Sequence, residues 1–402
     1  MSVGAEGRAV TIPTEAEMKA RAAALVPRLR ELAAEADRLR RLPDESMELV
    51  RTHDLLRTIL SPSCGGFGLS MRAHLDIVST VAEGCGATAW VVGVGHAHSW
   101  LLGHFSRAAQ TEVYGRDPNT LVSAVIAPRG KAIRQADGSL ILNGRWPFAS
   151  GCEHAEWLLL GAEIRDAAGA VIDEADVLVP KNDITILDDW YVAGLQGTGS
   201  ATVMAKDVTV PGHRTLSLPG LIEGKAPGYD APDTDWLLRA QAVPVLGLCI
   251  CGSALGIARA TVQEFSRVVK GKAIAYTNHI ADEWIPTQTT LGHAAAMIHA
   301  ADLVLYRAAD DIDHYAKLGR QMAPEMRGRI RMDCSYGVRL LMEAVDKLYI
   351  GGGASVLSLK SSIQRAARDL HAINMHALLV IDASAEIYGR ILLGKGSNSP
   401  IY

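Results

Sequence analysis

Apolar positions recur along this chain with two different periods. From Thr14 to about Asn119 the spacing is helical, with Leu25, Leu29, Leu32 and Ala33 on one face. Thr14-Glu15-Ala16-Glu17 reads as a capping box, in which a hydroxyl and a carboxylate three residues on each satisfy the other's backbone N–H. Pro43-Asp44-Glu45 opens a second helix through Leu56, the stretch from Ser61 to Gly68 is an irregular loop, and helices are predicted over 71–83 and 88–104. From Leu121 to Leu218 the period falls to two. Strands are predicted over 121–127, 139–143, 157–164, 176–179, 184–187 and 201–210, with turn signals at Ala136-Asp137-Gly138, Ala167-Ala168-Gly169 and Lys181-Asn182-Asp183. A Gly-, Pro- and Asp-rich linker or ordered loop over 218–234 follows. Helical spacing then returns over 237–270, 289–318, 323–347 and 355–393.

This order predicts an α+β fold, mainly helical. An N-terminal helical domain over 1–120 precedes a central antiparallel β-barrel or sandwich over 121–218, and a C-terminal four-helix bundle occupies 219–402. Strands joined by local turns are not βαβ units, and no Rossmann fingerprint is present. Composition sharpens the picture. Only 5% of the 402 residues are aromatic, so the core is built from Ala, Leu, Ile and Val, which favours close helix packing. A net charge of −4 exerts no general pull toward nucleic acid. The uncharged run 242–258 is short for a membrane span, is interrupted by Pro244, Gly247, Gly252 and Gly256, and lacks aromatic belts, so a buried bundle helix explains it better. No signal peptide is visible, and the chain reads as a soluble, cytoplasmic protein.

Few motifs carry chemistry. The six cysteines include no C-x-x-C pair, and Cys249-x-Cys251 lies in an apolar run where thiols serve as small core residues. His96-x-His98 is a weak ligand signal, and on one continuous helix His371 and His376 would differ by about 140°, so no metal site is predicted. Arg365 and Asp369 are spaced to pair along a helix. Arg320, Arg327, Arg329 and Arg331 lack aromatic interleaving and read as a solvated helix junction. Trp146, Phe148 and Ser150, in the segment Asn143–Cys152 after a strand, could supply an apolar wall and a hydroxyl to a planar heteroaromatic ligand, or simply pack as a β-bulge. In Gly194-Leu195-Gln196-Gly197-Thr198-Gly199-Ser200, three glycines permit close backbone approach, as they would in an ordinary turn.

Together, Cys85-Gly86-Ala87-Thr88-Ala89-Trp90, His98-Ser99-Trp100, Val122-Ser123-Ala124, Trp146–Cys152, Gly194–Ser200, Asp207-Val208-Thr209-Val210-Pro211 and Arg368-Asp369-Leu370-His371 through His376 resemble, in order and spacing, the acyl-CoA dehydrogenase fold. More narrowly, the chain resembles that fold's oxygen-using branch, the two-component flavin-dependent monooxygenases that hydroxylate 4-hydroxyphenylacetate or steroid-derived phenols. The resemblance implies an oxygenase component that uses reduced flavin (FMNH2 or FADH2) and O2, through a flavin C4a-hydroperoxide, to hydroxylate an aromatic, phenolic or polyketide-like substrate. A separate NAD(P)H-flavin reductase would supply the reduced flavin, and the oxygenase would be a homotetramer.

Carried over by position, the resemblance puts Trp146, Phe148 and Ser150 along the flavin ring, with Ser150 near N5. It sets Ser123 beside flavin and substrate, His98 on the substrate hydroxyl and His376 near C4a. His371 is their neighbour, and Gly197, Thr198 and Gly199 lie where the β domain meets the cofactor. True acyl-CoA dehydrogenases need a carboxylate base, often just after the aspartate of a comparable motif. Here no acidic residue follows Asp369 until Asp382, which argues against the alternative of acyl-thioester desaturation. The Arg-x-x-Phe-Gly contact to a cofactor pyrophosphate is not evident around Gly271-Lys272, so FMN and FAD both stay open. Relatives that oxidise sulfur or nitrogen, and a non-catalytic scaffold, are the remaining alternatives.

Overall fold

Thr14 opens the first helix, α1 (Glu15–Leu39), in the computed structural model, which describes residues 11–229 and 235–402. Its backbone N–H reaches the Glu17 carboxylate at 2.7 Å, and its hydroxyl accepts from Glu17 N–H at 3.2 Å, closing the capping box. Helices α2 (Asp44–Thr52), α3 (Met71–Ala82) and α4 (Gly86–Leu102) follow. A short helix outside the expectations, α5 (Arg107–Tyr114), starts where the Ser106 hydroxyl caps Ala109 N–H. Helix α4 is buried all round, as its nearly charge-free sequence requires.

Seven strands make one sheet: β1 (Val122–Arg134), β2 (Leu140–Trp146), β3 (Trp157–Arg165), β4 (Val171–Pro180), β5 (Thr185–Ile186), β6 (Val203–Val210) and β7 (Thr215–Ser217). Their order is β5-β6-β2-β1-β3-β4-β7. The expected purely antiparallel domain is corrected at one pair, because β1 and β3 run parallel. The reason is connectivity. Strands β2 and β3 lie on opposite sides of β1, so the chain between them passes back over the sheet instead of turning tightly. Along β2, alternation sends Leu140, Leu142 and Trp146 into a core of their own with Leu158, Leu160, Val177 and Val203. Leu159, Leu178 and Leu216 join the larger core of the helices. One face of the sheet thus closes over a core made by the strands and their connections, and the other packs against the helices.

After β7, the expected loop over 218–234 begins with α6 (Leu218–Ile222), and its last five residues lie outside those described. The expected helix over 237–270 is divided into a 3-10 turn, α7 (Ala242–Cys249) and α8 (Cys251–Val269), most of it buried inside the bundle. Helices α9 (Ile285–Leu318) and α10 (Pro324–Gly351) pack beside it. The last expected helix, 355–393, is divided into α11 (Ser362–Asn374) and α12 (Ile381–Leu392). His376 stands in the break with extended backbone, its ring Nδ1 accepting the Leu378 N–H at 3.3 Å. The helical angle between His371 and His376 therefore does not apply.

Candidate active site

The site is built where two long connections meet at one end of the sheet. Residues 147–156 lead from β2 to β3, and residues 187–202 lead from β5 to β6. They are tied by Ala149 N–H to Ala201 O at 3.1 Å and Gly151 N–H to Thr198 O at 2.9 Å. Helix α4 supports them from below. Gly151, at φ +71°, rests on Val91, where a Cβ would come within 2.9 Å of that side chain. The glycines of the second connection serve helix packing. A Cβ on Gly194 would lie 2.1 Å from Arg368 O, and one on Gly197 would lie 2.8 Å from the Ala36 methyl. Gly199 ends the 3-10 turn 196–198 in the left-handed region. Their backbone freedom is thus used against α1, α4 and α11 themselves.

A chain of polar side chains joins the two connections to α4. Trp90 Nε1 donates to Ser150 Oγ at 3.1 Å, and Ser150 Oγ lies 2.7 Å from Ser200 Oγ. Ser200 Oγ is 2.6 Å from Thr198 Oγ1, which donates to Leu195 O at 2.8 Å. Ser123, on β1, donates its hydroxyl to the Ser150 carbonyl at 2.9 Å. The far side of Trp90 meets His376 edge-on, with ring centroids 5.8 Å apart. His98 lies two turns further along α4, and its Nδ1 donates to Val122 O at 2.7 Å. Val122 and Ser123 are adjacent on β1, so Ser150, Ser123, His98, Thr198 and His376 converge around Trp90 and the start of β1.

The tautomers follow from these partners. A carbonyl only accepts, so neutral His98 carries its proton on Nδ1 and leaves Nε2 with a lone pair and no partner among the described residues. His376 is the reverse. Its Nδ1 accepts a backbone N–H, so the neutral ring carries its proton on Nε2. Burial pushes the pKa of each down to about 4, and both rings are uncharged at neutral pH. The site therefore holds one lone-pair acceptor nitrogen and one N–H donor.

Three expected residues stand elsewhere or in a different role. Trp146 does not line a ligand. It is fully enclosed over Gly130 and Gly144, and its indole N–H donates to Gly161 O at 2.7 Å, where the β1–β3 register breaks. Alternation along β2 turned it inward. His371 faces Asp346 on α10, with Nε2 about 3.0 Å from the carboxylate, away from the hydroxyl chain. Asp369 does not form an ion pair with Arg365. Its carboxylate is buried and accepts the Leu195 N–H at 2.6 Å, while Arg368 pairs with Asp37 at 2.9 Å. Asp369 thereby anchors the 194–200 segment and is no free base. Likewise His96 points away from His98, to His74 and Leu55 O, as residues two apart on a helix must.

Phe148 is 65% exposed at φ +68°, with its ring edge-on to Trp190 at 5.9 Å. A bulky residue held in the left-handed region, with its apolar face bare, is a cost that persists only where the surroundings impose it. A planar conjugated ring needs such a face, and the adjacent Ser150 and Trp90 supply a polar edge. These residues fit a flavin. Trp90 and Ser200 carried no assigned role in the sequence, and Asp369 only that of pairing with Arg365. Only the four-residue steps from Trp90 toward His98 on one helix face hinted at the first.

Comparison with known proteins gives the family and the fold. Residues 248–380 match the family model described as acyl-CoA dehydrogenase, C-terminal domain. The chain is 34% identical over 377 residues to the flavin-dependent monooxygenase, oxygenase subunit HsaA, of Rhodococcus jostii (strain RHA1), covering 91% of this chain and 95% of that one. It is 30% identical over 383 residues to the FADH(2)-dependent resorcinol hydroxylase, oxygenase component, of Rhizobium sp. (strain MTP-10005), covering 93% of each. The solved structure of XiaF from Streptomyces sp., in complex with FADH2 and glycerol, superposes with a TM-score of 0.90 at 28% identity, over 96% of this chain and 97% of that one.

Proposed function

The chain belongs to the flavin-dependent monooxygenases of the acyl-CoA dehydrogenase fold, as an oxygenase subunit, and from that footing we propose how its site hydroxylates an electron-rich phenol. Reduced flavin, when bound, supplies the two electrons that divide O2 between the product hydroxyl and water. The rest falls to the protein. His98, neutral with a free Nε2, takes the phenol proton and raises electron density on the ring carbon to be oxygenated. Ser123 sits one residue from the carbonyl that orients His98 and positions the phenol edge. His376 offers Nε2–H as the donor toward the oxygen being delivered, and Phe148 and Trp90 keep water from the ring. The observation that carries this reading is that Trp90 touches Ser150 and His376 at once while His98 follows on the same helix.

The reduced flavin comes from a separate NAD(P)H-dependent flavin reductase. The oxygenase works in the cytoplasm as a homotetramer. Self-association is supported by Tyr336, Ile350, Leu357, Leu359, Leu392 and Leu393, large apolar side chains exposed on α10, α12 and the turn after α10. The test is direct. The protein is mixed with anaerobically reduced FMN or FAD, a panel of phenols and then O2, and products are weighed by mass spectrometry. The reading expects a mass gain of one oxygen atom on at least one phenol. Peroxide as the sole product across the panel, or no binding of reduced flavin, overturns it.

A further inference from the structure

Ser150, Ser200 and Thr198 have one hydroxyl proton each, and counting those protons gives their chain a direction. Leu195 O only accepts, so the Thr198 hydroxyl proton points to it at 2.8 Å. The 2.6 Å contact between Thr198 and Ser200 must then use the Ser200 proton. The 2.7 Å contact between Ser200 and Ser150 must use the Ser150 proton. Trp90 Nε1–H already donates to Ser150 Oγ at 3.1 Å. Ser150 Oγ is left with a lone pair to accept with and no proton to give, in a residue that is half-buried.

We propose that this directed hydroxyl chain makes Ser150 an obligate acceptor, so that Ser200 and Thr198 set the site's preference for reduced over oxidised flavin. The inference rests on the reading above that the site holds a flavin, with N5 at Ser150 as the resemblance implies. The two redox forms differ at the ring edge, where N5 of the reduced ring bears an N–H and N5 of the oxidised ring bears only a lone pair. The first complements Ser150 as it stands. The second would need the Ser150 proton, which would reverse each link and cost the Thr198 hydroxyl its bond to Leu195 O. Ser200 is 4% exposed and Thr198 1%, so solvent does not readily replace the lost partner. One hydrogen bond of this kind is a factor of about five to ten in affinity. Ser200 and Thr198 are positioning residues, since they act through Ser150.

The test is equilibrium binding of reduced FMN or FAD, held anaerobically, and of the oxidised forms to the full-length protein. Ser200→Ala leaves the Ser150 proton without an inner acceptor, and Thr198→Val turns the Ser200 proton toward Ser150. Both free Ser150 to donate outward. The ratio of oxidised to reduced dissociation constants should fall by about five- to tenfold in each, while Thr198→Ser keeps the wild-type ratio. A wild-type preference that survives both substitutions overturns the proposal, as does an equal loss of affinity for the two forms, which marks a structural role only. Ser200→Cys, whose sulfur is a weak acceptor for the Ser150 proton, should fall between wild type and Ser200→Ala if the alanine variant folds poorly. Failure of the wild type to bind either form would sink the flavin reading itself.

Discussion

Replacing Asp369 by Asn isolates one buried proton. The carboxyl is 3% exposed and accepts the Leu195 N–H at 2.6 Å, with Asp37, Arg368 and Arg365 as its charged neighbours. Burial first, and then the charge of Asp37, push its pKa up from 3.8 to about 7, against the pull of the Leu195 N–H and the two arginines. The folded protein thus binds this proton more tightly than the unfolded chain. The resulting stability is fully present below pH 4 and is lost as pH rises through 7. At 1.36 kcal/mol per pH unit, the whole offset is about 4 kcal/mol, of which about 3 falls between pH 5 and pH 8. Asparagine keeps a carbonyl for Leu195 and never ionises. Urea unfolding followed by circular dichroism at the two pH values should show the variant gaining about 3 kcal/mol on the wild type between pH 5 and pH 8. Asp369→Ala, which also abolishes the titration, should run parallel to the asparagine variant with pH but lie about 1–3 kcal/mol below it at both values, because Leu195 N–H is left without an acceptor. A gap between Asn variant and wild type that stays constant with pH would refute the reasoning.

Trp146→Phe should cost about 2–3 kcal/mol through the unpaired Gly161 carbonyl and the space left over Gly130, yet leave reduced-flavin affinity unchanged in a binding titration. His104 is enclosed by Trp100 and Tyr229, and both its ring nitrogens lack partners among the described residues, so burial holds its pKa down to about 3. His104→Phe should gain about 1–3 kcal/mol and move acid unfolding to lower pH, because the wild type loses stability as pH falls from 6.5 toward 3; an unchanged midpoint in an ellipticity titration contradicts this. His376→Ala should divert turnover to hydrogen peroxide, read by a peroxidase-coupled assay against product formed. His98→Ala should lose product at neutral pH and recover it as pH approaches the phenol's own pKa, about 10; a flat pH profile removes His98 as the base.

Some structure was legible directly. The capping box at Thr14 needs only residues three apart, and it formed as read. The alternation Leu140, Leu142, Trp146 already places the indole on the inward face, so the burial of Trp146 was written in the parity of its strand even though the motif around it suggested a ligand wall. Changes of period likewise placed most strands and helices. The break at His376 left no such mark. No glycine or proline stands between Asn374 and Ile381, and residues of ordinary helix propensity follow His376.

What periodicity conveys is which side of an element is apolar, because that depends on neighbours one or two turns away. Which apolar side meets which, and therefore which polar groups end up within 3 Å, depends on loop closure and packing over long separations. Trp90 and Ser150 are 60 residues apart, Ser150 and Ser200 are 50, and Leu195 and Asp369 are 174. The order of helices, strands and helices, with its resemblance to a flavin-using fold, belonged to the sequence alone. The parallel pairing of β1 with β3, the placing of His376 against Trp90 and the hydroxyl chain that ends at Ser150 arose only when a buried core forced distant segments together and each enclosed polar group had to find a partner.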